Sequence, residues 1–180
     1  MIVSLVGLPG SGKTTIGRQL ARRLGWPFVD SDHVIEQRIG CSIREYFARN
    51  GESAFRDIEE QVIDELTAGS DGVGVLATGG GVVLRPANRQ RLRERSRVFY
   101  LHSTPEDIFR RLRHDASRPL LQGDDPLERL RQLQEERDPL YAEVAHFTFE
   151  TGRPTVNILL GKILMQLELS DSGSHKFDTS

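Results

Sequence analysis

Short apolar runs alternate along the chain with longer segments of helical periodicity. Apolar runs bounded by Gly, Pro, Asp or Ser predict five strands, over residues 2–6, 28–29, 73–77, 98–101 and 147–149. Between these runs the apolar side chains recur at helical spacing, as at Ile16, Leu20 and Leu24. Strands that alternate with helices predict a parallel sheet covered by helices on both faces.

The composition indicates one globular domain without a broad affinity for polyanions. The chain has 180 residues, 37% of them hydrophobic, and its 24 basic and 26 acidic residues leave a net charge of −2. That balance argues against nucleic acid or an anionic membrane as a partner. The single cysteine excludes an internal disulfide. Because the first residues carry no basic leader and no apolar run is long enough to span a bilayer, we expect the cytoplasm.

The two ends of the chain differ in composition. Residues 1–169 carry the alternating pattern and are predicted to form a single domain. Residues 170–180 are rich in Ser, Asp and Gly, and we expect a disordered polar tail there.

A complete phosphate-binding motif follows the first predicted strand. Residues 7–14 read GLPGSGKT, which satisfies the pattern G-x-x-x-x-G-K-[ST]. In such a loop the backbone N–H groups cradle phosphates at a helix N-terminus, Lys13 reaches the β- and γ-phosphates, and the Thr14 hydroxyl binds Mg²⁺. The motif and its position predict a site for a nucleoside triphosphate with Mg²⁺.

Two further groups of residues follow predicted strands. Asp30 and Asp32 end the second strand, where an α/β sheet presents residues to its ligand. They either share the work of holding a metal and facing an acceptor hydroxyl, or form a helix N-cap pair. Gly79, Gly80 and Gly81 follow the third strand and indicate either a close approach by a ligand or an ordinary turn.

Arg56, Arg118 and Arg137 carry guanidinium groups, which can bind carboxylate or phosphate oxygens in pairs. Arg56, three residues before Glu59, also fits a plain surface ion pair. Arg118 also fits an ordinary loop, and Arg137, beside two glutamates, a solvated position. The spacing alone does not show whether these arginines converge.

Taken together and in this order, these motifs resemble the shikimate kinase family. The resemblance rests on the phosphate loop, the D-S-D at 30–32, F-R-x-x-E at 55–59, G-G-G at 79–81, R-P-L-L at 118–121 and R-x-P-L-Y at 137–141. It covers residues 1 to about 168. Ser31 departs from the usual Thr of the family but keeps the hydroxyl.

The resemblance implies a fold and an activity. The fold is the α/β, three-layer α-β-α P-loop type, with a five-stranded parallel sheet, an acceptor-binding helical segment over about 32–60 and a lid over about 113–125. The activity is transfer of the γ-phosphoryl group of ATP to the 3-hydroxyl of shikimate, with Mg²⁺ as cofactor. The family also implies a monomer.

On the acceptor side, the resemblance implies that Asp32 binds the shikimate hydroxyls and orients or deprotonates the attacking one. Arg56 and Arg137 clamp the carboxylate, and Glu59 holds Arg56 in place. Backbone contacts come from Gly79, Gly80 and Gly81.

On the nucleotide side, the resemblance implies that Arg118 reaches the transferring phosphate from the lid, and that Arg111 and Arg153 flank the adenine. Asp30 supports Mg²⁺ together with Thr14. The remaining nucleotide-binding residues belong to the phosphate loop and the helix after it: Gly10, Ser11, Gly12, Lys13, Thr14 and Thr15.

Two other functions fit parts of the sequence. A kinase for another polyol acid, such as gluconate, shares the phosphate loop, but F-R-x-x-E and R-P-L-L argue against it. A relative that binds nucleotide without catalysis would lack Lys13, Asp32 or a site arginine, and all of these are present.

Overall fold

The structure is a computed structural model and describes residues 1–69, 72, 74–113 and 125–174. Its strands are β1 (Ile2–Val6), β2 (Phe28–Asp30), β3 (Gly74–Ala77), β4 (Arg97–His102) and β5 (Phe147–Glu150). Its helices are α1 (Lys13–Leu24), α2 (Ser31–Ile39), α3 (Ile43–Thr67), α4 (Pro86–Arg95), α5 (Pro105–Leu112), α6 (Pro126–Val144) and α7 (Val156–Ser174).

The five strands form one parallel sheet in the order β2-β3-β1-β4-β5. The central strand β1 pairs with β3 in the register Val3↔Val75 and with β4 in the register Leu5↔Phe99. The predicted five-stranded parallel sheet is therefore confirmed. Strand bounds differ from the predicted ones by a residue or so, and Val73, predicted to begin the third strand, lies outside the described residues.

Both faces of the sheet are buried, so the central strands show no polar face. Along β4, Val98 and Tyr100 pack on one side with α4 and α6, and Phe99 and Leu101 pack on the other with α1 and α7. This alternation produces the three predicted layers, because successive side chains of a strand point to opposite faces.

Helices α2 and α3 form a smaller layer beside the main sheet. Ser42 caps α3 by accepting from the Glu45 N–H, and α3 is interrupted at Gly51, where φ is 84° and ψ is 171°. A third apolar cluster, centred on Ile35, Phe55 and Val62, joins α2 to α3. Ile63 of the same helix packs in the main core with Leu76 of β3, so the second half of α3, which carries Arg56 and Glu59, lies against the sheet.

The prediction of a disordered tail from residue 170 is wrong for its first five residues, because α7 continues to Ser174. The Ser170 and Ser172 hydroxyls donate to the carbonyls of Gln166 and Glu168 one turn earlier. These bonds satisfy the hydroxyls within a helix that serine would otherwise tend to end. The remainder of the predicted tail, 175–180, lies outside the described residues, as does most of the predicted lid, 114–124.

Within the parts of the chain that the structure describes, no helix is both long and apolar enough to cross a bilayer.

Candidate active site

The phosphate loop forms the turn between β1 and α1, at the carboxyl end of the central strand. Gly10 (φ 84°) and Gly12 (φ 95°) adopt left-handed conformations, which glycine reaches without a steric penalty. At Gly10 a Cβ would also lie 2.8 Å from Leu112 Cδ1. Ser11 is buried in the loop, and Thr15 is exposed on the first turn of α1. The first N–H groups of this helix have no partner within it and are suited to bind phosphate oxygens.

Lys13 is the first residue of α1, and its side chain is buried. Its ammonium group donates to the carbonyl oxygens of Gly7, at 2.7 Å, and Leu8, at 2.8 Å. The charge therefore lies against the phosphate loop, where a triphosphate needs a cation.

Thr14 and Asp30 bring two oxygen ligands together. The Thr14 hydroxyl donates to Asp30 Oδ2 at 2.9 Å, while Asp30 Oδ1 accepts from the N–H groups of Asp32 and His33 as the N-cap of α2. Asp30 is thus the N-cap of α2 and also the partner of the phosphate-loop hydroxyl. The N-cap alternative is confirmed for Asp30, and its role in holding a metal stays a prediction.

The two ligands fit Mg²⁺, which prefers hard oxygen atoms and keeps several waters beside substrate phosphates. Among the residues that the structure describes, no group of three or more His, Cys, Asp or Glu side chains is placed to hold a metal. A metal with only one or two protein ligands is the arrangement found where a nucleotide supplies the others.

Asp32 lies beside the glycine loop that follows β3. A Cβ on Gly79 would lie 2.6 Å from Asp32 Oδ1. Burial, followed by the nearby carboxylates of Asp30 and Glu59, raises the pKa of Asp32 to about 6, and the Lys13 charge acts in the opposite direction. A carboxylate in this environment is poised to accept a proton near neutral pH.

Each of the three glycines faces a different group of the site. Gly79 faces Asp32, Gly80 faces Pro9 of the phosphate loop at 2.5 Å from a built Cβ, and a Cβ on Gly81 would overlap the Arg56 guanidinium. An ordinary turn does not need three such close approaches. The glycines instead allow the loop to fit between the phosphate loop and α3.

Arg56 and Glu59 form the i,i+3 pair that the sequence allows, but the pair is not on the surface. Arg56 Nη1 donates to Glu59 Oε1 at 2.8 Å, and the side chains are 12% and 1% exposed. Burial raises the pKa of Glu59, although the charges of Arg56, Arg137 and Arg85 oppose this effect. The surface interpretation of Arg56 is therefore wrong.

Arg137 reaches the same region from α6. Its charge acts on Glu59 and on Tyr141, so both predicted clamp arginines influence the same buried carboxylate, and Arg56 forms the ion pair with it. Its Nε is buried and, within the described part of the chain, has no hydrogen-bond partner. A buried donor of this kind is costly unless a ligand or water satisfies it.

Arg111 and Arg153 lie on the nucleotide side. Arg111 Nη1 donates to Gly10 O at 3.3 Å and Nη2 to Thr151 O at 3.2 Å, and so links the phosphate loop to the segment after β5. Arg153 is exposed on that segment. Arg118 lies outside the described residues, and its position stays a prediction.

Tyr141 is a residue of the site to which sequence reasoning gave no role. Its hydroxyl donates to Gly80 O at 2.5 Å, and its side chain is fully buried. The available signal was its place four residues after Arg137, which puts both side chains on one face of a helix.

The phosphate loop lies on the central parallel strand, and a carboxylate and two arginines lie near the glycine loop beside it. This arrangement defines a P-loop kinase for a small acidic acceptor.

The shikimate kinase family model matches residues 9–168. The chain is 64% identical to a shikimate kinase of Paracidovorax citrulli, covering 93% of this chain and 92% of that one. It is 58% identical to a shikimate kinase of Ralstonia nicotianae, covering 93% and 87%.

A solved structure of a shikimate kinase has the same fold. The shikimate kinase from Acinetobacter baumannii in complex with shikimate superimposes with a TM-score of 0.87 at 46% identity, covering 94% of this chain and 93% of that one. The chain belongs to the shikimate kinase family.

Proposed function

We propose that the chain transfers the γ-phosphoryl group of ATP to the 3-hydroxyl of shikimate, giving shikimate 3-phosphate and ADP. The observation that carries the residue roles is the convergence of Asp32, Arg56 and Arg137 around the glycine loop at 79–81. These residues are far apart in sequence. The proposal is supported by the contacts of Asp32 with Gly79 and of Arg56 with Gly81, and by the charge of Arg137 acting on Glu59.

Arg56 and Arg137 bind the shikimate carboxylate. Two guanidinium groups offer paired donors with the planar geometry of a carboxylate. Glu59 holds Arg56 through the 2.8 Å bond and offsets part of the positive charge when no acid is bound. The backbone of Gly79, Gly80 and Gly81 forms the wall against which the ring of the acceptor lies.

Asp32 orients the attacking hydroxyl and receives its proton. Transfer of a phosphoryl group needs positioning and charge neutralisation more than a strong base. A carboxylate with its pKa raised to about 6 remains largely ionised at neutral pH, so it accepts a hydrogen bond from the attacking hydroxyl and takes up its proton as the phosphoryl group is transferred.

The phosphate loop binds the nucleotide. Backbone groups of Gly10, Ser11 and Gly12 and the first turn of α1, including Thr15, bind phosphate oxygens, while Lys13 neutralises the β- and γ-phosphates. Thr14 and Asp30 hold Mg²⁺, Asp30 through water. The metal neutralises charge on the phosphate oxygens when bound.

Three arginines complete the nucleotide side. Arg111 and Arg153 flank the adenine, which is supported by the position of Arg111 between the phosphate loop and Thr151. Arg118 comes from a lid to the transferring phosphate, a role that rests on the family resemblance. We further propose that the enzyme acts in the cytoplasm, as the sequence leads us to expect, and as a monomer, in keeping with the family resemblance.

A coupled ADP-release assay tests the acceptor. We expect ADP release to depend on ATP, Mg²⁺ and shikimate together, with little release in the presence of gluconate or without an acceptor. Equal release with gluconate would contradict shikimate as the acceptor, and release unaffected by any acceptor would contradict the kinase assignment.

A further inference from the structure

The glycine loop at 79–81 has no side chains of its own to hold it in place. At its start the Thr78 hydroxyl donates to Leu5 O at 2.8 Å, and at its end the Val82 N–H donates to Gly79 O at 3.2 Å. The carbonyl of Gly80, in the middle, accepts from the Tyr141 hydroxyl. That hydroxyl is therefore the side-chain support for the centre of the loop.

Tyr141 is itself rigidly placed. Its ring is fully buried and packs against the Tyr100 ring, with centroids 4.9 Å apart. Burial raises the pKa of Tyr141 to about 12, while the Arg137 charge and a hydrogen bond from Arg137 act in the opposite direction. The phenol therefore stays protonated and donates to Gly80 O, while Arg137, one helical turn earlier on α6, acts on it through its charge.

The bond to Gly80 O and the neighbouring position of Arg137 on α6 connect opposite walls of the acceptor site. On one side is the loop whose first glycine lies against Asp32. On the other is Arg137, one helical turn before Tyr141 on α6. A shift of either wall changes the distance between Arg137, which binds the carboxylate of the acceptor, and Asp32, which faces its hydroxyl.

We propose that Tyr141 is a positioning residue that couples Arg137 to the glycine loop and thereby sets the spacing at which shikimate binds. The proposal rests on the proposed function, in which Arg137 binds the acceptor carboxylate. Tyr141 acts through Arg137 and Gly80 rather than by touching the substrate. Its removal therefore weakens acceptor binding and leaves the nucleotide site unchanged.

Tyr100 offers a matched control. Its hydroxyl donates to Asp138 Oδ1 at 2.7 Å and lies 3.3 Å from Gln134 Nε2, both on α6. Tyr100 is also buried and hydrogen-bonded to α6, but its partners do not include the glycine loop. Phenylalanine at either position removes one buried hydroxyl, so a purely structural effect appears in both variants.

The experiment compares Tyr141→Phe with Tyr100→Phe by steady-state kinetics, calorimetric titration and thermal unfolding. We expect Tyr141→Phe to raise the KM for shikimate about ten-fold, the effect of losing one hydrogen bond to a charged group. The KM for ATP should stay within about two-fold of the wild-type value, as expected of an intact nucleotide site. Tyr100→Phe should lower Tm without the shift in shikimate KM. Equal shifts of shikimate KM in both variants would overturn the proposal.

A double-mutant cycle separates this proposal from the function on which it rests. In an Arg137→Ala background, Tyr141→Phe should have little further effect on shikimate binding. If Arg137→Ala weakens shikimate binding and Tyr141→Phe still adds its full effect, Tyr141 does not act through Arg137 and the proposal fails alone. If Arg137→Ala leaves shikimate binding unchanged, the assignment of Arg137 fails and the proposal fails with it.

Discussion

The nucleotide end and the acceptor end of the site are built in different ways. The phosphate-binding groups come from one continuous stretch, residues 7–14, and from the start of the helix that follows it. The acceptor groups come from four separate places: the start of α2, the second half of α3, the loop after β3, and α6. The first end is a local structure, whereas the second exists only when the sheet and its helices have assembled.

The two ends also use charge differently. At the phosphate loop, backbone donors and one lysine are available to a ligand that brings its own charge. At the acceptor end, a buried glutamate lies between two arginines, and Glu59 is 1% exposed. Buried charges of this kind are costly to leave unpaired. A substitution that removes either arginine is therefore expected to lower the stability of the fold as well as to weaken binding of the acid.

Arg118→Ala is expected to have the largest effect, because the proposed lid arginine stabilises charge that develops in the transition state. The value of kcat should fall by about 10³–10⁵-fold, as with other arginine fingers. The KM for shikimate should change far less, and Arg118→Lys should restore part of the rate. A raised KM with unchanged kcat would instead make Arg118 a substrate-binding residue.

Gly81→Ala is expected to have an intermediate effect confined to the acceptor end. The added Cβ meets the Arg56 guanidinium, and the residue has φ −96°, so the effect comes from this contact rather than from backbone strain. The KM for shikimate should rise about ten-fold, since the guanidinium must leave its position on Glu59.

Gly161→Ala is the matched control, because a Cβ on this glycine of α7 meets nothing within 4 Å. It should raise the free energy of unfolding by about 0.5–1 kcal/mol, as alanine does in place of a helical glycine. An unchanged shikimate KM in Gly81→Ala would show that the acceptor does not depend on the position of Arg56.

Arg85→Ala is expected to have the smallest effect. Arg85 Nη1 lies 2.6 Å from Asp57 Oδ1 and 3.0 Å from Glu60 Oε2, but Asp57 is 63% exposed. Partly exposed ion pairs of this kind stabilise a protein by about 0–1 kcal/mol. Thermal unfolding should show a small decrease in Tm, with kinetics for both substrates unchanged. A marked rise in the KM for shikimate would mean that this exposed pair, too, positions the acceptor end.

The sequence predicted the nucleotide end of the site better than the acceptor end. The phosphate loop, its preceding strand and its following helix were all predicted, because the motif specifies backbone conformations within a few residues. The triple glycine stayed ambiguous, since its three partners, Asp32, Pro9 and Arg56, are brought to it by the fold. The spacing of Arg56 and Glu59 predicted their pairing but not their burial.

Two further differences between the prediction and the structure concern the end of α7 and Tyr141. Residues 170–174 were predicted to be disordered from their composition, but serine hydroxyls bonded within α7 permit the helix to continue. Tyr141 received no role because its partner is a backbone carbonyl about sixty residues earlier in the chain, and composition and periodicity give no sign of such a contact. The family resemblance supplied the convergence of the arginines, which spacing alone did not indicate.

Calorimetric titration of Arg56→Ala and Arg137→Ala with each ligand tests the central claim most directly, namely that the acceptor end is assembled separately from the phosphate loop. We predict that each variant loses about 2–5 kcal/mol of shikimate binding, the usual effect of removing one charged partner from a buried pair. Both variants should bind ATP with the wild-type affinity. Equal weakening of ATP and shikimate binding would contradict the account, because the two arginines would then belong to the nucleotide end or to the fold as a whole.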